Sequence, residues 1–277
     1  MSNLTLLKLG GSLITDKQIE FSYRADMAQR IASEIRAGLD AFPDMWLLIG
    51  HGSGSFGHFA ARRHGTNDGV LTPEEWRGFA EVATVAADLS NRVTLTLHEA
   101  GIPVWRIQPS ASAMAIDGRL ETLNVGTIHN ALNKGLVPLV HGDVALDATI
   151  GGTIISTEMI FAYLVAHLPV DRILLVGEVP GVYDENQHVI PEITPQNFDS
   201  IKHALGGSRG TDVTGGMLNK VQEMLALIEV KPHLRIYIID GTKAGLLRET
   251  LSGNWNGNMT GNGKPAGTLI HHGGADS

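Results

Sequence analysis

The chain has 277 residues, 43% of them hydrophobic, with 21 Lys and Arg against 29 Asp and Glu for a formal net charge of −8. That length and apolar content suit one large α/β domain or two closely joined lobes and argue against disorder. The acidic balance argues against a nucleic-acid backbone or an anionic membrane as general partner, and the absence of cysteine excludes disulfides, thiolate nucleophiles and Cys-ligated zinc.

The first predicted element is a strand over Leu4 to Leu9, which opens into Gly10-Gly11. Residues 25 to 39 place Ala28, Ile31, Ile35 and Leu39 at steps of three and four, the spacing of a helix face. A second strand, Trp46 to Ile49, opens into His51-Gly-Ser-Gly-Ser-Phe-Gly-His58, and a long helix over Glu74 to Ala100 is entered through Thr72-Pro73. Val104 to Ile107, Val137 to Val140, Ile173 to Val176 and Ile236 to Ile239 are further short apolar runs, the pattern of parallel strands buried on both faces. Between the last two, Met217 to Val230 puts Met217, Val221, Met224, Leu225 and Ile228 on one side of a helix. The glycine- and asparagine-rich stretch 252–267 is a predicted loop, with Thr268-Leu-Ile as a last strand. Strand and helix alternate, which specifies a layered α/β fold, and Leu168-Pro169 marks a lobe boundary near residue 170. The N-terminus lacks a basic stretch ahead of an apolar core, and no apolar run nears the roughly 18 residues that span a bilayer. The expectation is a cytoplasmic protein.

Two strand ends that open into bare glycine turns carry the functional signal. Without a Cβ the backbone takes positive φ and brings its N–H groups close to an oxyanion, so phosphate is the expected guest. An ordinary strand-to-helix turn is the alternative for either glycine pair alone. Gly52, Gly54 and Gly57 also spell a dinucleotide fingerprint, but residues 61–76 do not form the second strand ending in an acid that this reading requires. Lys8 is a lone cation in an apolar strand, two residues before Gly10-Gly11, where either an anion compensates it or its head reaches solvent from an edge strand. Lys17 and Lys220 also adjoin glycine-rich segments.

The string Lys8-Leu-Gly-Gly-Ser-Leu-Ile-Thr-Asp-Lys17 resembles the opening of the amino-acid kinase superfamily. Gly-His-Gly-Ser-Gly-Ser-Phe-Gly-His at 50–58, His-Gly-Asp-Val at 141–144, Pro-Gly-Val-Tyr-Asp at 180–184 and Thr-Asp-Val-Thr-Gly-Gly-Met with Lys220 at 211–220 extend the likeness over nearly the whole chain. Within the superfamily the chain looks most like the isopentenyl phosphate kinases, through Ser-Phe-Gly-His and Lys17. The resemblance implies a three-layer αβα sandwich with a mainly parallel central sheet. It implies an acceptor-phosphate lobe over 1–170, an ATP lobe over 171–277, transfer from ATP with Mg²⁺ to isopentenyl phosphate, and a homodimer. Lys8, Lys17, Lys220 and Asp143 would be catalytic, and Ser53, Gly54, His58 and Thr157 would contact the acceptor. Lys8, Gly10, Gly11, Ser12, Gly54, Gly177, Gly181, Tyr183, Gly216 and Lys220 would contact ATP. From the local sequence alone Asp143 is equally a turn or helix-cap aspartate. Phe79, Val82, Ala83 and Ala86 share a helix face that would line the acceptor's apolar tail, or simply pack in the core.

Two segments depart from the family pattern. Ser156-Thr-Glu-Met159 stands where members carry Ser-Gly-Asp-Asp, and Gly177-Glu178 where they carry Thr-Asp. Glu158 is a substitute carboxylate at longer reach. These departures keep open a kinase of another phosphate or a phosphonate, akin to the fosfomycin kinases, a kinase of an N-acetyl amino acid, and a nucleotide-binding sensor without turnover.

Overall fold

The computed structural model describes residues 4–206, 216–252 and 266–273. Its elements in chain order are β1 (Leu4–Leu9), α1 (Gly11–Ile14), α2 (Ala25–Ala41), β2 (Trp46–His51), α3 (Gly54–His64), α4 (Pro73–Glu99), β3 (Val104–Arg106), β4 (Met114–Ile116), β5 (Arg119–Thr122) and α5 (Val125–Asn133). There follow β6 (Val137–His141), β7 (Asp143–Asp147), β8 (Gly151–Ile155), α6 (Thr157–His167), β9 (Val170–Gly177), β10 (Glu192–Ile193), α7 (Pro195–Gly206), α8 (Gly216–Val230), β11 (Arg235–Asp240), α9 (Leu246–Leu251) and β12 (Gly267–Ile270). Eight strands form one sheet in the order β10-β12-β11-β9-β1-β2-β6-β3, parallel throughout except for the β11–β12 pair.

Successive side chains of a strand leave on opposite faces, and β1 shows how this divides the core. Leu4 and Leu6 join Ile160, Phe161 and Leu164 of α6 and Val221 and Ile228 of α8 on one side. Leu7 and Leu9 join Ile31 and Ile35 of α2, Leu89 and Val93 of α4 and Leu251 of α9 on the other. Helices therefore cover both faces and the molecule is a three-layer αβα sandwich, which is why its inner strands read as unbroken apolar runs. Lys8 continues the line of Leu4 and Leu6, so its side chain leaves on the α6 side.

The helix α4 starts where the sequence places it. Thr72 accepts the Glu75 N–H, the Glu75 carboxylate accepts the Thr72 N–H in return, and Pro73 occupies the first helical position. The strand at Val104 to Ile107 differs from expectation, because β3 ends the sheet order and leaves Trp105 45% exposed, so this run is an edge strand. A second, four-stranded sheet in the order β5-β4-β7-β8 follows from β6 through Gly142. β9 begins at Val170 and pairs with both β1 and β11, so the sheet continues without a break past Leu168-Pro169.

Candidate active site

β1 and β2 are parallel neighbours with Leu9 paired to His51, so both glycine turns open at the same carboxyl edge, where open α/β sheets form their ligand crevices. The turns touch backbone to backbone. A Cβ on Gly11 would lie 2.8 Å from the N and Cα of Gly54, and one on Gly52 would lie 3.2 Å from the Gly11 N. Gly54 has φ +50°, and a Cβ there would meet the Thr15 Oγ1 at 2.3 Å. That hydroxyl donates to the Gly11 carbonyl (2.7 Å) and accepts from the Ser55 N–H (3.0 Å), stapling the turns together. Among the described residues the N–H groups of Gly11, Ser12, Ser53 and Gly54 have no acceptor. Free N–H groups on these touching turns, two of them at the start of the eleven-residue helix α3, suit anionic oxygens.

Cations surround these turns. Gly50 has no room for a side chain, since a Cβ would lie 2.6 Å from the Phe161 ring and 2.7 Å from the Thr157 methyl. The helix α6 thus packs directly on the β2 backbone and brings Glu158, in its first turn, into contact with the Lys8 ammonium. Burial raises the Glu158 pKa, but the Lys8 charge and hydrogen bond outweigh it and Lys220 adds to them, so the carboxyl is held below its ordinary value. Lys220, exposed on α8, therefore addresses the same carboxylate as Lys8.

His58 stands on α3, exposed to solvent, yet the protein packed around it chiefly lowers its pKa, followed by Lys17 and Arg62. Glu158 opposes and Lys8 adds to this effect. Burial first, and then the surrounding cations, favour the neutral ring. Lys17 is exposed in a loop docked on α3. Ser22 N–H donates to Ser55 Oγ (3.3 Å), Phe21 meets Phe56 edge to face at 5.4 Å, and Glu20 pairs with Arg63 at 2.7 Å. Phe21 adopts φ +58°, a left-handed conformation that an aromatic residue takes only when its surroundings demand it.

On the other side of β1, the Gly10 N–H donates to Val176 (2.8 Å), and a Cβ on Gly10 would sit 3.1 Å from that carbonyl and 3.5 Å from the Gly177 Cα. Gly177 accepts from the Gly241 N–H at 2.8 Å, joining the ends of β9 and β11. Gly181 is buried where a Cβ would lie 2.5 Å from Thr268 Oγ1, and Tyr183 bridges to Val189 in the following turn. Gly216 begins α8. Glu178, in the departing Gly177-Glu178 pair, forms an ion pair with Arg24. Residues 211–215 and the loop at 253–265 lie outside the described residues.

Two expected site residues are turned to structural use. Thr157 is buried and its hydroxyl donates to the His51 carbonyl at 2.7 Å, so it ties α6 to β2 instead of facing an acceptor. Asp143 is also buried, with one oxygen accepting the Ser110 N–H (3.0 Å) and the other its neighbour Val144 (2.9 Å). Burial raises its pKa against these bonds. Its contacts go to the turn at Pro109–Ala111 and to His141, whose Nε2 lies 3.7 Å away, and not to the lysines. Glu158, which the sequence marked only as a departure, is the carboxylate that meets them.

Mg-ATP can be tested against this donor set. The free N–H groups and the lysines suit polyphosphate, while among the described residues no three His, Cys, Asp or Glu converge as a metal site. A Mg²⁺ ion here fits one carried mainly by phosphate and water oxygens, which is how this ion usually binds in phosphoryl-transfer sites.

A parallel-edge crevice with free amide donors and an ordered lysine–carboxylate pair defines a phosphoryl-transfer site, and residues 3–240 match the amino acid kinase family, to which the chain belongs. Within it the chain groups with the isopentenyl phosphate kinases. It is 34% identical over 261 residues to the isopentenyl phosphate kinase of Methanocaldococcus jannaschii, covering 92% of this chain and 97% of that one. It is 37% identical over 233 residues to that of Haloferax volcanii, covering 81% and 88%. A crystal structure of isopentenyl phosphate kinase superposes with a TM-score of 0.78 at 29% identity, over 97% of this chain and all of the other. Among the described residues no helix is long and apolar enough to cross a membrane.

Proposed function

We propose that the protein transfers the γ-phosphoryl group of ATP to isopentenyl phosphate, giving isopentenyl diphosphate and ADP. The observation that supports this reading is the backbone contact between the two glycine turns, with Lys8 and Glu158 paired on the neighbouring strand and helix, read as a nucleotide-side and an acceptor-side phosphate seat side by side. An oxygen of the acceptor phosphate attacks the γ-phosphorus in line, and the bond from that phosphorus to the β–γ bridging oxygen breaks. The nucleophile is already anionic, so catalysis consists of positioning and charge compensation and needs no general base. Lys8 with Gly10, Gly11 and Ser12 holds the nucleotide phosphates and the group in flight. Lys17 and Lys220 approach from other sides, Glu158 orders Lys8 and Lys220, and Ser53, Gly54 and His58 hold the acceptor phosphate. Mg²⁺ supplies further neutralisation of the phosphate oxygens when bound.

An apolar tail suits the cluster beside His58, where Ala60, Val82 and Val144 are buried and Ala61, Phe79, Ala83 and Ile154 are partly open. Residues 1–170 serve the acceptor and 171–277 the nucleotide, with Gly177, Gly181, Tyr183 and Gly216 on the ATP side. The protein works in the cytoplasm as a homodimer.

The test is ADP release from Mg-ATP with isopentenyl phosphate, dimethylallyl phosphate, fosfomycin and N-acetylglutamate offered in turn. Isopentenyl phosphate should give the highest kcat/KM. Turnover of another acceptor in its place would reassign the substrate, and no turnover with any would leave a nucleotide-binding protein.

A further inference from the structure

His51 closes β2 and is completely buried, on the side of the sheet where Leu47 and Ile49 are core residues. Its Nδ1 lies 3.0 Å from the carbonyl oxygen of the next residue, Gly52. A carbonyl only accepts, so Nδ1 carries the proton and the ring is the Nδ1–H tautomer. The ring stacks on His141, the residue paired with it in β6, at 5.5 Å between centroids and 9° between planes. Burial first, and then His141, lowers the His51 pKa to about 3, so the donor stays in place throughout the neutral range. The backbone around the ring is equally committed. The His51 carbonyl accepts from Gly142 N–H (3.2 Å) and the Thr157 hydroxyl (2.7 Å), and the Gly52 N–H donates to Leu9 (3.2 Å).

In a trans peptide the C=O and the following N–H point in opposite directions, and the described chain has no cis bond. With the Gly52 oxygen turned inward to the imidazole, the Ser53 N–H is turned away from the buried ring. This is one of the four donors without an acceptor among the described residues. An apolar residue would fill the space as Leu47 and Ile49 do, but would leave the Gly52 carbonyl free to rotate. The His51 Nε2 and both His141 nitrogens are buried without hydrogen-bond partners, although the Asp143 carboxylate stands 3.7 Å from His141 Nε2, a cost that packing alone gives no reason to bear.

We propose that His51 is a positioning residue for the acceptor phosphate, aiming the Ser53 N–H into the crevice through its bond to Gly52, with His141 as the backstop of its ring. This rests on the kinase reading above and adds a residue that touches neither substrate. The test compares His51→Leu with His51→Asn, whose side-chain amide places a donor near the Nδ1 position, and with His51→Gln, whose amide reaches toward Nε2. Isopentenyl phosphate binding is measured by calorimetry without nucleotide, alongside KM, kcat and thermal melting.

His51→Leu should weaken acceptor binding at least tenfold with the ATP KM within twofold of the parent. His51→Asn should recover to within about threefold, although it melts as low as the leucine variant because it lacks the ring. If His51→Leu does not fold, the ranking of Asn above Gln decides. Equal acceptor affinity in all variants, Gln equal to Asn, or a parallel rise in the ATP KM would overturn the proposal. If the parent protein neither binds nor turns over isopentenyl phosphate, the kinase reading fails instead. The same variants are then ranked on inorganic phosphate, where loss in Leu and Gln with recovery in Asn supports the positioning role and an unchanged affinity defeats it.

Discussion

A lysine and a glutamate in contact near a sheet edge are worth little for stability when water reaches them, and Glu158 is 35% exposed at its side chain. Their worth lies in where they hold the ammonium. Glu158→Gln keeps the shape and removes the charge that Lys8 and Lys220 share, so kcat should fall by about tenfold or more, with much smaller changes in either KM. An unchanged kcat in steady-state assays would show that the lysines need no carboxylate. His58→Ala removes a donor to a charged oxygen, a bond of about 1.5–3 kcal/mol, and should raise the acceptor KM by about 10- to 100-fold at constant ATP KM. At this scale the residue types were legible and their directions only partly. Lys8 could be placed because a strand alternates and its neighbours are apolar. Thr157 and Asp143 could not, because whether each side chain faces the crevice or the interior depends on how α6 seats on Gly50 and how β7 turns beyond Gly142.

The elements that build the crevice are joined by few groups, and Thr15 is the most exposed to challenge. It is fully buried, and its hydroxyl satisfies the Gly11 carbonyl and the Ser55 N–H at once. Thr15→Val preserves the volume and strands the buried Ser55 N–H, while the Gly11 carbonyl keeps the Thr15 N–H (2.9 Å), and the change should cost about 1–3 kcal/mol. It should also loosen the contact between the turns, so the KM for nucleotide and acceptor should rise together, unlike the His58 variant. A loss of stability without any KM change would mean that the turns keep their contact unaided. The strands behind these turns were readable because helices cover both faces of the sheet and every residue of β1 except Lys8 is buried. The second sheet was not, since β4 and β5 have three and four residues, and Arg119-Leu-Glu-Thr122 carries no apolar run to betray a strand.

For the whole molecule the buried histidines of β2 and β6 set the response to acid. Burial holds His51 to about 3, helped by His141, and holds His141 to about 4, helped by Arg106. Unfolded, each titrates near the ordinary value of about 6.5. Both folded values are depressed, so as pH falls through 6.5 the unfolded chain takes up protons that the folded one refuses. Stability is therefore full above neutrality and declines below pH 6.5, at up to about 1.4 kcal/mol per pH unit for each ring, until the folded rings protonate near 4 and 3. Glu158, with its lowered pKa, adds to the loss at lower pH, while Asp143, with its raised pKa, opposes it. Between pH 7 and pH 5 the two histidines together should remove about 4 kcal/mol, a large share of the 5–15 kcal/mol typical of a folded protein. They sit on the adjacent strands β2 and β6, both fully enclosed in the sheet, so protonation strikes the packed core between its layers and should appear as global unfolding. Urea melts at pH 7 and pH 5 measure the effect, and His141→Asn should remove about half of the pH-dependent change whatever it does to stability at pH 7. A midpoint that does not move between the two pH values would show that the imidazoles find proton-accepting partners in the folded state and are not held neutral by burial.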